Sequence, residues 1–222
     1  MAGRQLAEKL GIFAGRRDAI VLGLARGGLP VAYEVAAQLR LPLDVFVVRK
    51  LGVPGFGELA MGALASGGVR VVNEEVLQQL QPRGEMILEA VTAKEAAELH
   101  LRERRYRDGR APLEVRGRVA ILVDDGLATG ASMRAAAAAL RQQEAAQIVV
   151  AVPVGAPETC RAMAAEVDEV VCVIAPESFQ AVGQYYEDFS QVSDKEVREL
   201  LAGAARLRGQ NYRLSERGDS AN

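Results

Sequence analysis

Residues 119–133 read VAILVDDGLATGASM: five apolar, mostly β-branched positions, two adjacent carboxylates, a turn of small residues and the start of an Ala-rich run. A short apolar run of this kind predicts a strand buried on both faces, and the Ala-rich run predicts a helix. The order is strand, acidic pair, loop, helix. A tight loop running into a helix N-terminus aims unpaired backbone N–H groups and the positive end of the helix dipole at one point, which suits an anion. Ala128, Gly130 and Ala131 are small enough to let a phosphate approach the backbone, and the hydroxyls of Thr129 and Ser132 add donors. Asp124 and Asp125 would repel that phosphate. Their better use is to grip sugar hydroxyls, or to help hold a divalent cation that neutralises a second phosphate group. These residues imply a sugar phosphate as ligand.

A second unit of the same kind lies upstream. Residues 19–24 (AIVLGL) predict a strand, Ala25, Arg26, Gly27 and Gly28 a glycine-rich loop, and residues 30–39 a helix opened by Pro30. The loop would expose N–H groups to an anion, with the guanidinium of Arg26 as a fork of donors. Residues 42–48 (PLDVFVV) predict a further strand with Arg49 and Lys50 at its end, and Lys50 is one of only four lysines in the chain. A plainer reading of that pair is a solvated strand end.

The remaining elements set the fold class. Residues 2–13 carry Leu6, Leu10 and Phe13 at helical spacing. Residues 52–68 are rich in glycine and predict a mobile loop, able to close over substrate, that leads into a short strand near residues 59–64. Glu58 lies in that loop as a candidate helper of the nucleophile. Residues 69–72 predict a strand edge, Asn73 an N-cap, and residues 85–107 a long charged helix with sparse apolar positions. Its Arg-dense end, residues 102–110, reads as a solvated helix end, and His100 is left out of the site. Residues 147–154 and 167–174 predict two more strands around a helix at 158–165. The alternation of strand and helix predicts a doubly wound, mainly parallel α/β sheet flanked by helices, with a small hood or helical addition. In such sheets ligands sit beyond the carboxyl ends of the strands. Ser193 and Glu196 form a capping box that opens a last helix to about Leu207. One domain is expected over residues 1–208, including a helical insertion at 73–110 and a C-terminal hood and helix at 176–208, with a disordered tail at 209–222.

At 222 residues, 50% hydrophobic and 25% charged, the chain can bury a sizeable core, and a formal net charge of −2 argues against a general nucleic-acid binder. Two cysteines and one histidine cannot make a zinc site of the usual Cys/His kind. No apolar run approaches a membrane span and the N-terminus lacks a signal-peptide pattern, so a cytoplasmic protein is expected.

The acidic pair with its loop, DDGLATGAS, resembles the binding motif of type I phosphoribosyltransferases, most closely the adenine phosphoribosyltransferase version. The order ARGG, helix, VVRKLGVPG is similar to the Ala-Arg-Gly and Arg-Lys segments of the same enzymes. The resemblance spans residues 19–189 and rests on these three short segments. It implies that the 5′-phosphate of phosphoribosyl pyrophosphate sits on Ala128, Thr129, Gly130, Ala131 and Ser132. Asp124 and Asp125 would then meet the ribose hydroxyls and hydrated magnesium. Ala25, Arg26, Gly27, Gly28, Arg49 and Lys50 would hold pyrophosphate, with a cis peptide between Ala25 and Arg26. It further implies Asp124, Asp125 and Lys50 in catalysis, a small-molecule acceptor and a homodimer. Residues 176–189 (PESFQAVGQYYEDF) loosely resemble the hypoxanthine-guanine segment in which an aromatic ring stacks on the purine, which makes Phe179 a candidate base contact; core packing of these aromatics is the plainer reading. Ala128 replaces the general-base aspartate of hypoxanthine-guanine enzymes, and the lysine that reads a 6-oxo group there has no counterpart in residues 151–160. The acceptor is therefore open.

Three function classes follow. One is phosphoribosyl transfer to a nitrogenous base or similar acceptor. A second is a regulator that keeps the phosphoribosyl pyrophosphate or nucleotide site without catalysis. The third is another kind of α/β sugar-phosphate binder. Two plainer readings of the central stretch also stand on its residues alone: an acidic pair closing a receiver-domain strand, and an ordinary core helix after a glycine turn.

Overall fold

The computed structural model describes residues 2–218, with side chains described for residues 2–56 and 59–207. The first half of the chain forms α1 (Ala2–Lys9), β1 (Ala19–Leu24), α2 (Gly28–Leu39), β2 (Leu43–Phe46), β3 (Val48–Val53), β4 (Phe56–Ala65), β5 (Val69–Val72), α3 (Glu74–Gln79) and α4 (Gly84–Arg107). The second half forms β6 (Val119–Val123), α5 (Ala131–Gln142), β7 (Gln147–Val154), α6 (Pro157–Met163), β8 (Glu169–Ile174) and α7 (Asp194–Gly218).

Five strands make an all-parallel sheet in the order β2-β1-β6-β7-β8. Successive side chains of a strand point to opposite faces, and here both faces are buried. Ile20, Leu22, Ala120, Leu122, Ile148 and Val150 pack on one side with Met133, Ala136 and Leu140 of α5. Val21, Val119, Ile121, Val123 and Val149 pack on the other with Leu6 and Leu10 near α1 and Val31, Val35 and Leu39 of α2. Burying each large apolar side chain contributes roughly 1.5–3 kcal/mol, so strands apolar at every position are stable only between two helical layers. This is the doubly wound sheet that the sequence predicts.

A second, antiparallel sheet, β3-β4-β5, stands beside it. Residues 52–68, expected as a mobile loop leading into a short strand near 59–64, are mostly the long strand β4, paired with β3 from Val48↔Ala65 to Val53↔Phe56. The signal for the hairpin was present in Val53-Pro54-Gly55-Phe56: proline presets the first central position of a tight turn, and Gly55 supplies the positive φ (81°) that the second demands. Arg49 and Lys50 therefore lie within β3, not at the end of β2.

The charged helix α4 is also less solvated than expected. Among its residues Leu88, Leu99 and Tyr106 join a third core with Leu51, Met61, Leu64, Val197 and Leu201. Its Arg-dense end is tied down. The Nε of Arg107 donates to both carboxylate oxygens of Asp44 at 2.9 and 3.0 Å, its guanidinium reaches Glu103 at 3.1 Å, and all three residues are buried. Arg105 pairs with Asp194 at 3.0 Å, and Arg110 donates to the carbonyl of Leu201 at 2.8 Å. Asp44 and Asp194 lie far from α4 in sequence, which is why local charge density read as a solvated end.

Smaller differences occur at the termini. The opening helix stops at Lys9, and a separate 3-10 turn, Gly11–Phe13, carries Phe13 into the core. The last helix runs past Leu207 to Gly218, and residues 219–222 of the expected tail lie outside the described residues. The capping box forms as predicted: Glu196 Oε2 accepts from the Ser193 amide at 2.7 Å, and the Ser193 hydroxyl oxygen accepts from the Glu196 amide at 3.2 Å. Ser193→Ala is expected to lower stability by about 1 kcal/mol, read as a shift in the urea midpoint; an unmoved midpoint would show that the box contributes nothing.

Candidate functional site

With its strands renumbered by chain order, the parallel sheet has the order 2-1-3-4-5, so the direction of winding reverses between β1 and β6. A doubly wound sheet opens a crevice at that switch point, outside the carboxyl ends of the two strands. The loops that leave these ends are residues 25–28 and 124–130, the two stretches singled out by sequence.

The two loops touch. A Cβ on Gly27 would collide with the carboxylate of Asp125, and one on Gly28 would lie 2.5 Å from the carbonyl oxygen of Val123 and 2.9 Å from Cα of Asp124. Only glycines let the loop after β1 lie flat against the acidic pair. The Ala25–Arg26 peptide is cis, as the resemblance implied. Arg26 is half-buried and places its Nη1 3.4 Å from Asp194 at the start of α7.

Asp124 and Asp125 are half-buried, and among the described residues neither has a basic partner. Burial first, and then the charge of Asp125, push the Asp124 carboxyl up to about 8. Burial also raises Asp125. Asp124 Oδ1 accepts from the Asp125 amide at 2.9 Å. Two adjacent, desolvated carboxylates without a cation of their own fit a hydrated magnesium ion, which keeps several waters and needs only one or two protein carboxylates beside substrate phosphates.

Beyond the pair, Ala128, Thr129, Ala131 and Ser132 are exposed at the mouth of the loop, and Gly130, with φ of 75°, is the N-cap of α5. The first turn of that helix carries N–H groups with no carbonyl partner within the helix. Two side chains that sequence reasoning did not single out hold the loop from behind. The Thr159 hydroxyl donates to the carbonyl of Ala128 at 2.6 Å, and Arg134 Nη1 donates to that of Thr129 at 2.9 Å.

An open cleft of about 560 Å³ adjoins the acidic pair, its lining including Arg26, Gly27, Asp125, Tyr186, Asp188 and Phe189. The Tyr186 hydroxyl donates to the carbonyl of Asp125 at 2.6 Å. Burial and the nearby acidic pair push that phenol upward, so it remains a donor. Three further sequence candidates, like Asp124 and residues 128–132, do not line this cleft. Phe179 stacks on Tyr185 with ring centroids 6.0 Å apart and is not part of the cleft wall, a place taken by Tyr186 and Phe189. Arg49 pairs with Glu95 of α4 at 2.6 Å, and its neighbour Lys50, exposed and on the alternate face of β3, also lies outside the cleft wall. The side chain of Glu58 lies outside the described residues.

Comparison with known proteins shows the family to which the chain belongs. A Mycobacterium tuberculosis protein that carries the provisional name phosphoribosyl transferase Rv0571c is 47% identical over 205 residues, which are 92% of this chain and 46% of that protein. The chain thus spans about half the length of the curated relatives it matches. The crystal structure of TT1426 from Thermus thermophilus is 44% identical, with a TM-score of 0.79 over 90% of this chain and 94% of that one. No helix among the described residues is long and apolar enough to cross a membrane. The sequence profile of the phosphoribosyl transferase domain matches residues 2–190, from the first helix through both glycine loops to the wall of the cleft, and the chain belongs to that family.

Proposed function

We propose that the protein transfers the 5-phosphoribosyl group of phosphoribosyl pyrophosphate to a nitrogenous base or similar acceptor and releases pyrophosphate. The observation that carries this reading is the contact of Gly27 and Gly28 with Asp125 and Asp124, which joins two anion-binding loops around one acidic pair at the switch point. The resemblance gives one loop the monophosphate and the other the diphosphate, and the carboxylates between them suit the ribose that links the two.

In this reading Ala128, Thr129, Gly130, Ala131 and Ser132 bind the 5′-phosphate through backbone N–H groups and hydroxyls. Ala25, Arg26, Gly27 and Gly28 receive the diphosphate, and the Arg26 guanidinium offsets charge as the C1–oxygen bond breaks. Asp124 and Asp125 hold the ribose hydroxyls and, through water, a magnesium ion, which when bound supplies positive charge to the leaving diphosphate. The acceptor nitrogen attacks C1 from the cleft lined by Tyr186 and Phe189. The protein contributes mainly positioning and charge stabilisation. Arg49 and Lys50 join the diphosphate side only if β3 approaches the ligand.

Incubation with magnesium, phosphoribosyl pyrophosphate and a panel of nitrogenous bases, read as pyrophosphate release, tests this. Release that depends on one of the bases is expected. Tight binding of phosphoribosyl pyrophosphate with no release for any base would instead favour the regulatory reading, which shares the site but not the reaction.

A further inference from the structure

The geometry points to Thr159 and Arg134 as positioning residues for the phosphate loop: by tying two carbonyls to α6 and α5, they preset two backbone donors for an incoming phosphate. This rests on the reading that residues 128–132 hold the 5′-phosphate.

A trans peptide is planar, and its C=O and N–H point in opposite directions. Fixing the carbonyl of one residue therefore fixes the amide direction of the next. The Thr159 hydroxyl takes the carbonyl of Ala128 at 2.6 Å, so the N–H of Thr129 is turned the other way, to the exposed side of the loop. Arg134 takes the carbonyl of Thr129 at 2.9 Å and does the same for the N–H of Gly130. Arg134 is itself held: its Nε donates to Glu166 at 2.7 Å, so the guanidinium spans from the loop to the segment after α6. Gly130 is packed beneath the same two side chains. A Cβ there would lie 2.9 Å from Cγ2 of Thr159 and 3.3 Å from Nη1 of Arg134, and its φ of 75° disfavours any other residue.

Both act through the carbonyls of the loop, so both are positioning residues. Their effect is entropic. A loop of exposed small residues would otherwise sample many peptide orientations, and ordering it on binding would oppose affinity. A loop held from behind offers its donors already aligned.

The two anion subsites allow the inference to be tested apart from the function it rests on. The test titrates wild-type protein and the Thr159→Val and Thr159→Ser variants with ribose 5-phosphate and, separately, with inorganic pyrophosphate plus magnesium. Valine keeps the shape of threonine and removes the hydroxyl; serine restores it. We expect Thr159→Val to bind ribose 5-phosphate roughly tenfold more weakly, the scale of one net hydrogen bond. Its pyrophosphate affinity and thermal midpoint should stay near wild type, and Thr159→Ser should recover the loss. Equal affinity for ribose 5-phosphate in wild type and Thr159→Val overturns the positioning role and leaves the transferase reading intact. An equal loss for both ligands overturns it too, because the effect would then be general. A wild-type protein that binds neither ligand overturns the transferase reading on which the inference stands.

Discussion

Replacing Arg107 with alanine is expected to destabilise the fold by about 3–5 kcal/mol, the scale measured when one partner of a buried ion pair is removed and the other is left uncompensated. Asp44, 5% exposed, would be left with the amides of Val45 and Leu113 as its remaining donors, and Glu103 would lose its pairing with Arg107 as well. The loss is large because Arg107 also donates to the carbonyl of Val45 at 3.1 Å, so it joins α4 to an outer strand of the parallel sheet at three points. Urea unfolding followed by far-ultraviolet circular dichroism measures it. A loss under about 1 kcal/mol, the range of solvent-exposed pairs, would mean that the cluster is hydrated in solution and that the helix is held by its apolar contacts alone.

The second large effect has opposite signs for stability and function. Asp124 ionises in the folded chain only near 8, because burial and Asp125 oppose its charge, whereas in the unfolded chain it ionises near its ordinary value of about 4. Between those values the unfolded state is the one that releases the proton, so rising pH favours unfolding. An Asp124→Asn variant has no proton to release at this position. With chelator present and no ligand, the variant should match wild type near pH 4, gain on it as the pH rises, and hold a constant advantage above about 8. An advantage of at least a few degrees in thermal midpoint is expected, since each ~1 kcal/mol moves a domain of this size by roughly 2–4 °C. The same variant should lose magnesium-dependent binding of phosphoribosyl pyrophosphate. Melting curves across that pH range check the first part; a variant less stable than wild type at every pH would show that Asp124 is satisfied within the fold and is not held in readiness for a ligand. Such a group, costly to the free protein and useful only when bound, is what active sites retain at the expense of stability.

How much of this was legible in sequence depended on how local the cause was. The parallel strands were readable because apolar runs such as residues 119–123 and 147–154 leave no polar face, and a strand with no polar face must be covered on both sides. The two loops were readable because glycines, hydroxyls and carboxylates follow one another within a few residues. The capping boundaries at Asn73 and Ser193 were local for the same reason. The hairpin of β3 and β4 carried a local sign in Pro54-Gly55, but the glycines that follow weighed toward a loop, and pairing to β3 with an irregular register at Leu51 and Gly52 is a long-range event. Arg49, Arg105 and Arg107 looked like ligands or solvated charge because their partners Glu95, Asp194 and Asp44 sit on other elements or in other turns. Thr159 and Arg134 were invisible as site residues, since what they touch is main-chain carbonyl, which leaves no mark in side-chain chemistry. Tyr186 and Phe189 were seen as part of an aromatic cluster, but which ring faces the cleft is fixed by the 3-10 turn Val182–Tyr185 and the contact of Val182 with Gly126.

The central claim is that the paired loops and the acidic pair form one site for phosphoribosyl pyrophosphate, and calorimetric titration with that ligand and magnesium tests it most directly. Wild-type protein should bind with micromolar affinity, and a variant carrying both Asp124→Asn and Asp125→Asn, shown to be folded by circular dichroism, should show no binding. Absence of binding in folded wild-type protein, or equal binding by the double variant, would contradict the account.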